Sequence, residues 1–252
     1  MANDGREGPM RKILFFIFFI ITGMAMTGQA GFESDVFKTA AADLRITFIG
    51  HGSLLFSFGK LHAYVDPDGR LADFSRLPKA DLILVTHQHG DHFDPAAIET
   101  LRQDATLIFV SPACLPLPAA ARILKNGDSA EDQGVKIDAV PAYNILHQRS
   151  SGQPFHPRGE GNGYVLTFAG LRVYVAGDTE NIPEMRGLQD IAVAFLPMNL
   201  PYTMTPEMAA LAAGMIKPRV LYPYHFSNTD PQKLVSLLKG DGAIEVRIRK
   251  LN

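Results

Sequence analysis

The run Thr86-His87-Gln88-His89-Gly90-Asp91-His92 follows directly on the apolar stretch Leu82-Ile83-Leu84-Val85, and it limits what the chain can fold into more than any other feature. A short apolar, β-branched stretch bounded by turn residues reads as a buried strand. Three imidazoles and a carboxylate launched from the end of such a strand can converge on metal from one short loop. Imidazole nitrogen suits zinc and similar divalent ions, while a carboxylate can bind metal or accept a hydrogen bond from metal-bound water.

Apolar runs rich in β-branched and aromatic residues recur at 45–49, 53–58, 62–65, 82–85 and 106–110, and again at 135–140, 164–168, 171–176, 191–196, 220–222 and 243–247. These predict strands, with Ala169-Gly170 turning a hairpin between two of them. Helices are predicted where Asp94-Pro95, Thr205-Pro206 and Asp230-Pro231 supply a cap and a proline at the first turn, over 96–101, 209–216 and 232–238. Strands interrupted by a few helices point to a layered α/β or α+β domain in which sheets pack face to face under outer helices.

At the N-terminus, Arg6, Arg11 and Lys12 precede an apolar run over 13–26 that ends in Gly28-Gln29-Ala30. That pattern predicts a secretory signal over residues 1–30, with residues 31–252 as the mature domain and the periplasm or cell exterior as its location. The apolar run is shorter than the roughly 20 residues of a membrane-spanning helix, so no transmembrane domain is expected after cleavage. An uncleaved anchor is the alternative. The mature part keeps 21 Lys+Arg against 24 Asp+Glu, without a basic stripe, which argues against nucleic acid as a partner. Cys114 is the single cysteine, so no intrachain disulfide can form, and a buried apolar role is expected of it.

The H-x-H-x-D-H motif resembles the signature of the metallo-β-lactamase superfamily. Residues 46–53 and Tyr64-Val65-Asp66-Pro67 resemble the opening strands of the branch that includes ascorbate-6-phosphate lactonase and N-acylphosphatidylethanolamine phospholipase D. Val175-Ala176-Gly177-Asp178-Thr179 and Tyr222-Pro223-Tyr224-His225-Phe226 look like that branch's later motifs, in the same order. The resemblance implies an α+β fold, a four-layer αββα sandwich with metals at one edge between the sheets. It further implies two divalent metal ions, with His87 and His89 on the first, Asp91, His92 and His225 on the second, and Asp178 bridging. Zinc is expected, with Mn2+ or Fe2+ as alternatives. His51 and Asp66 fall outside that ligand set and are assigned to orienting ligands or loop backbone.

The sequence departs from the resemblance at one ligand of the first metal. Relatives carry a histidine where Val140-Pro141-Ala142-Tyr143-Asn144 has asparagine. His156, whose backbone Pro157 restricts, is taken as the replacement; Asn144 with water is the alternative, and His147, in an unrestrained polar stretch, a weaker one.

Asn144, Asn199 and Tyr202 are expected at the substrate, and Asp91 as the catalytic group that orients a metal-bridging hydroxide and carries a proton. The expected activity is hydrolysis of a small ester, lactone or phosphoester. A lipid-directed phosphodiesterase and a non-catalytic metal-binding module are the competing readings.

Overall fold

The structure, a computed structural model, describes residues 26–27, 31–240 and 242–251. The predicted secretory segment therefore lies outside the described residues, apart from the two-residue strand at 26–27. Among the described residues fifteen strands form two sheets, each in simple sequential order. The first sheet contains β1 (Met26–Thr27), β2 (Glu33–Phe37), β3 (Leu44–Gly50), β4 (Ser53–Phe58), β5 (Leu61–Val65), β6 (Leu82–Val85), β7 (Leu107–Val110) and β8 (Ala121–Ile123). The second contains β9 (Ser129–Asp132), β10 (Val135–Ala142), β11 (Gly161–Phe168), β12 (Leu171–Val175), β13 (Ile191–Pro197), β14 (Val220–Tyr224) and β15 (Glu245–Val246). Both sheets run antiparallel from their first strand, then turn parallel from β5 and from β12 onward.

Strand alternation builds the layers. In β4, β5 and β6 the side chains of Leu54, Phe56, Ala63, Val65, Leu82 and Leu84 enter the core shared with the second sheet. Their neighbours Leu55, Tyr64, Ile83 and Val85 face the other way, onto Ala97, Ile98 and Leu101 of α1 (Pro95–Leu101). The second sheet is covered by α2 (Pro206–Ile216) and α3 (Gln232–Leu238), whose Ala209, Ala212, Ala213, Leu234 and Leu238 join the main core. The result is the four-layer αββα sandwich that the sequence predicts. Asp94 and Thr205 cap α1 and α2 through their side chains, each followed by proline. Between the sheets, Phe195 stacks on Tyr222 at 5.0 Å, and Phe48 lies 5.0 Å from the same ring.

Several bounds differ from those read in the sequence, and β1, β2, β8 and β9 are additional. Strand β10 runs on through Pro141 to Ala142, because β9 pairs only with residues 135–138 and no neighbour on that side needs the missing N–H. Strand β11 starts at Gly161, where a Cβ would stand 3.2 Å from the Ala142 carbonyl; Gly163 would meet the Ala176 carbonyl at 2.8 Å. The backbones approach too closely for side chains. At the C-terminal edge only Glu245–Val246 pair. Among the described residues no helix is long and apolar enough to cross a membrane.

Candidate metal centre

The chemistry gathers at the ends of β5, β6, β12 and β14, on one edge of the sandwich. Asp66 ends β5 in a left-handed conformation (φ 47°) and receives the backbone N–H and hydroxyl of Thr86, at 2.7 and 2.6 Å, from the end of β6. Its Oδ2 also lies 2.7 Å from His92 Nδ1. A carboxylate there holds the imidazole hydrogen on Nδ1 and leaves Nε2 bare. Asp66 thus orients the His92 ring. Gly52 lets the β3–β4 turn approach: a Cβ on it would sit 2.9 Å from His92 Cε1.

Two donor sets emerge. In one, His89 Nδ1 lies 3.1 Å from His87 Nε2 and 3.2 Å from His156 Nε2, and Asp178 Oδ2 is 3.1 Å from His156 Nε2 and 3.8 Å from His87 Nε2. In the other, Asp91 Oδ2 faces His225 Nε2 at 3.4 Å, His51 Nε2 at 3.2 Å and His92 Nε2 at 3.8 Å. Asp178 Oδ1 looks onto this second set, 3.5 Å from His92 Nε2 and 3.6 Å from His225 Nε2. One carboxylate therefore presents one oxygen to each set. Gly177, immediately before it, has φ 65° and would press a Cβ to 2.5 Å from the Asn162 carbonyl.

The corner that the sequence leaves open is occupied by His156, and the expectation that Asn144 meets substrate is corrected. Asn144 is buried, and its Oδ1 accepts from the His156 backbone N–H at 2.8 Å and faces His156 Nδ1 at 2.6 Å. Its Nδ2 donates to Glu180 Oε1 at 3.1 Å and to the Tyr202 carbonyl at 2.9 Å. The amide is fully engaged in orienting His156. His147 points elsewhere, with Nδ1 2.8 Å from Glu180 Oε1. Glu180, not singled out in the sequence, folds this loop: its buried carboxylate accepts the N–H groups of Ile145, Leu146 and His147 at 2.6–2.8 Å. Its only sequence signal is its place two residues after Asp178.

His51, expected merely to support ligands, stands within the second donor set, its ring tilted 37° against that of His225 with 3.7 Å between centroids. Both residues adopt left-handed backbone, φ 48° and 47°, and the His225 N–H donates to the His51 carbonyl at 3.2 Å. Such strained conformations persist where surrounding contacts enforce them, and they concentrate at functional sites.

Burial opposes charge on the Asp91 carboxyl, but the rings of His225 and His51 hold it well below the ordinary carboxylate range. For His92 burial again opposes charge, yet Asp178 and Asp66 outweigh it and push the ring up to about 9. Burial and the neighbouring His92 drive His87 the other way, well below its usual value. The buried atoms His92 Nε2, Asp178 Oδ1 and both His225 nitrogens have no hydrogen-bond partner. Each would cost about 1–3 kcal/mol if left so. A cation in the second donor set would remove that cost for His92 Nε2, His225 Nε2 and Asp178 Oδ1, and the first set gathers three imidazole nitrogens against Asp178 Oδ2, so the residues present fit metal ions.

A pocket of about 330 Å³ opens onto the cluster, lined by His89, Asp91, Arg149, Phe155, His156, Asp178, Asn199, Tyr202 and His225. Asn199 and Tyr202 both line it, and so do Arg149 and Phe155, which were not singled out in the sequence. The β-lactamase superfamily domain matches residues 45–225, which span both donor sets. The chain belongs to the β-lactamase superfamily. A UPF0173 metal-dependent hydrolase of Thermococcus onnurineus is 33% identical over 224 residues, 82% of this chain and 96% of the relative. Among solved structures, a Parabacteroides distasonis protein provisionally assigned as a metal-dependent hydrolase is 49% identical, with a TM-score of 0.83, covering 88% of this chain and all of that one. Igni18, a metallo hydrolase from Ignicoccus hospitalis, is 25% identical with a TM-score of 0.67, over 83% and 96% of the two chains. Other members of the superfamily thus share the whole folded unit.

Proposed function

We propose that this chain is a dinuclear metal-dependent hydrolase of small esters, lactones or phosphoesters, with zinc as its metal. The observation that carries the reading is Asp178, whose two oxygens each face a separate set of nitrogen donors. Relatives named as metal-dependent hydrolases over the full folded unit support it. His87, His89 and His156 would hold one ion, His51, Asp91, His92 and His225 the other, and Asp178 both.

Bound divalent ions supply Lewis acidity and make water a nucleophile at neutral pH. The protein's own groups do the rest. Asp91, 35% exposed along its side chain, lines the pocket with Oδ2 turned to His51 and His225. Its Oδ1 is the atom left to take a proton from the attacking water and return it to the leaving oxygen. Asn199 and Tyr202 also line the pocket, where they orient the substrate. Export is part of the same proposal, and N-terminal sequencing of material recovered outside the cytoplasm checks it.

Metal analysis of the purified protein, followed by a hydrolase substrate screen with and without chelator, tests the function. Two ions per chain are expected, with turnover abolished by chelation and restored by zinc or manganese. Asp91→Ala removes turnover. Full activity in that variant, or a metal-free protein that hydrolyses as well as the loaded one, overturns the reading.

A further inference from the structure

We infer that the pocket contains a recognition site for an anion, formed by the Arg149 guanidinium and the Nε2–H of His89. The substrate is then an ester that carries a second, non-reacting carboxylate or phosphate beside the bond that is cut. The inference rests on the metallohydrolase reading above. It begins from His89, whose Nδ1 is turned toward His87 Nε2 and His156 Nε2, at 3.1 and 3.2 Å. Three imidazole nitrogens so close share a cation only through their lone pairs, and a neutral imidazole has one N–H. With Nδ1 committed to the cation, the hydrogen of His89 sits on Nε2. Arg149 Nη2 lies 3.3 Å from that Nε2, and a guanidinium has no acceptor. With a cation bound at Nδ1, two donors would face one another, an arrangement that repels until an acceptor takes both hydrogens.

Arg149 is set up to wait for such an acceptor. Its Nη2 also donates to the Phe155 carbonyl at 3.3 Å, and the guanidinium lies 5.4 Å over the Phe155 ring. Its backbone closes the 149–153 turn, with the Arg149 N–H donating to the Gln153 carbonyl at 2.7 Å. Among the described residues no carboxylate pairs with it, whereas the exposed Arg158 does pair with Glu184. Among the described residues it is the one Lys or Arg side chain lining the pocket. Planar, forked donors bind carboxylate and phosphate in two-point fashion. Phe155 and Tyr202, packed edge to face at 5.0 Å, form the wall next to it, which suits an apolar spacer between the anion and the scissile bond.

The experiment is calorimetric titration of succinate and, separately, glycerol phosphate into the metal-loaded wild type, Arg149→Gln and Arg149→Lys, with metal content measured alongside. At least one anion binds the wild type, and whichever binds tighter identifies the source as carboxylate or phosphate. Arg149→Gln weakens binding by about ten- to a hundredfold at unchanged metal content, and Arg149→Lys recovers part of it. Equal binding by wild type and Arg149→Gln, or no binding of either anion to the wild type, overturns the inference. A parallel assay compares p-nitrophenyl acetate with mono-p-nitrophenyl succinate. The wild type prefers the anionic ester, and Arg149→Gln loses the preference. Absence of any turnover, with Arg149-dependent anion binding intact, would instead tell against the hydrolase reading alone.

Discussion

Both ends of the Asn144 amide are committed, Oδ1 to His156 and Nδ2 to Glu180 and the Tyr202 carbonyl. Partners of this kind fix the tautomer and direction of a metal-binding imidazole and typically carry about ten- to a hundredfold in affinity. Asn144→Ala should weaken the first metal by that factor in a chelator competition while the second stays bound. Equal loss of both ions, or of neither, would show that Asn144 does not work through His156. The sequence points to His156 because Pro157 restricts its backbone, but the fate of Asn144 depends on Glu180, 36 positions away, and short-range reading cannot reach it. His92 carries a second prediction. Its ordinary value is 6.5, and in the metal-free site it is raised to about 9, chiefly by Asp178 and Asp66 working against burial. A raised value means that its charge stabilises the metal-free fold fully below about pH 6.5, and that this contribution fades as pH climbs through 9. Thermal melts of the apo protein should fall across that window. The loaded protein, in which a cation replaces the proton on Nε2, should not follow, and parallel melting curves would refute the assignment.

Elements that bury a continuous apolar face, such as β6 and β13, are plain in the sequence because both of their surfaces need hydrophobic cover. Strand β2 is not, since Ser34 and Asp35 are buried through partners that lie far along the chain. The edge strands β8 and β9 are short and mostly polar or exposed, so no period of two marks them. The β3–β4 turn shows what an element's connection contributes to the site, because Gly52 lets the turn lie directly against His92. Gly52→Ala should displace that ring, reduce bound metal from two ions to one and cost about 1–3 kcal/mol in urea unfolding. Retention of both ions would mean that the turn yields instead.

Across the whole molecule, the two sheets are also joined by residues outside the two donor sets. Buried Asp35 on β2 receives Arg249 at 2.8 and 2.9 Å, Arg247 at 3.3 Å and the Tyr222 hydroxyl from β14. Removing one partner from such a buried ionic group leaves charge uncompensated, at about 3–5 kcal/mol. Asp35→Ala should therefore lower stability by that amount, with the metal content of the surviving folded protein unchanged. A loss below 1 kcal/mol would mean that the arginines relax to solvent. The layered class of the fold can be read from strand and helix patterning, yet this clasp cannot, because its members are separated by up to 214 positions.

Each sheet is one uninterrupted stretch of sequence, β1 to β8 and then β9 to β15, with the passage between them at residues 124–128. The donor groups divide along the same line. His51, His87, His89, Asp91 and His92 come before it, and His156, Asp178 and His225 after it. Neither half possesses a complete set. During synthesis the first half leaves the ribosome with five unfinished donors; one set is complete only when Asp178 arrives behind β12, and the other only when His225 arrives behind β14. Metal occupancy is thus a certificate of assembly: a chain that captures both ions has already brought its two halves together.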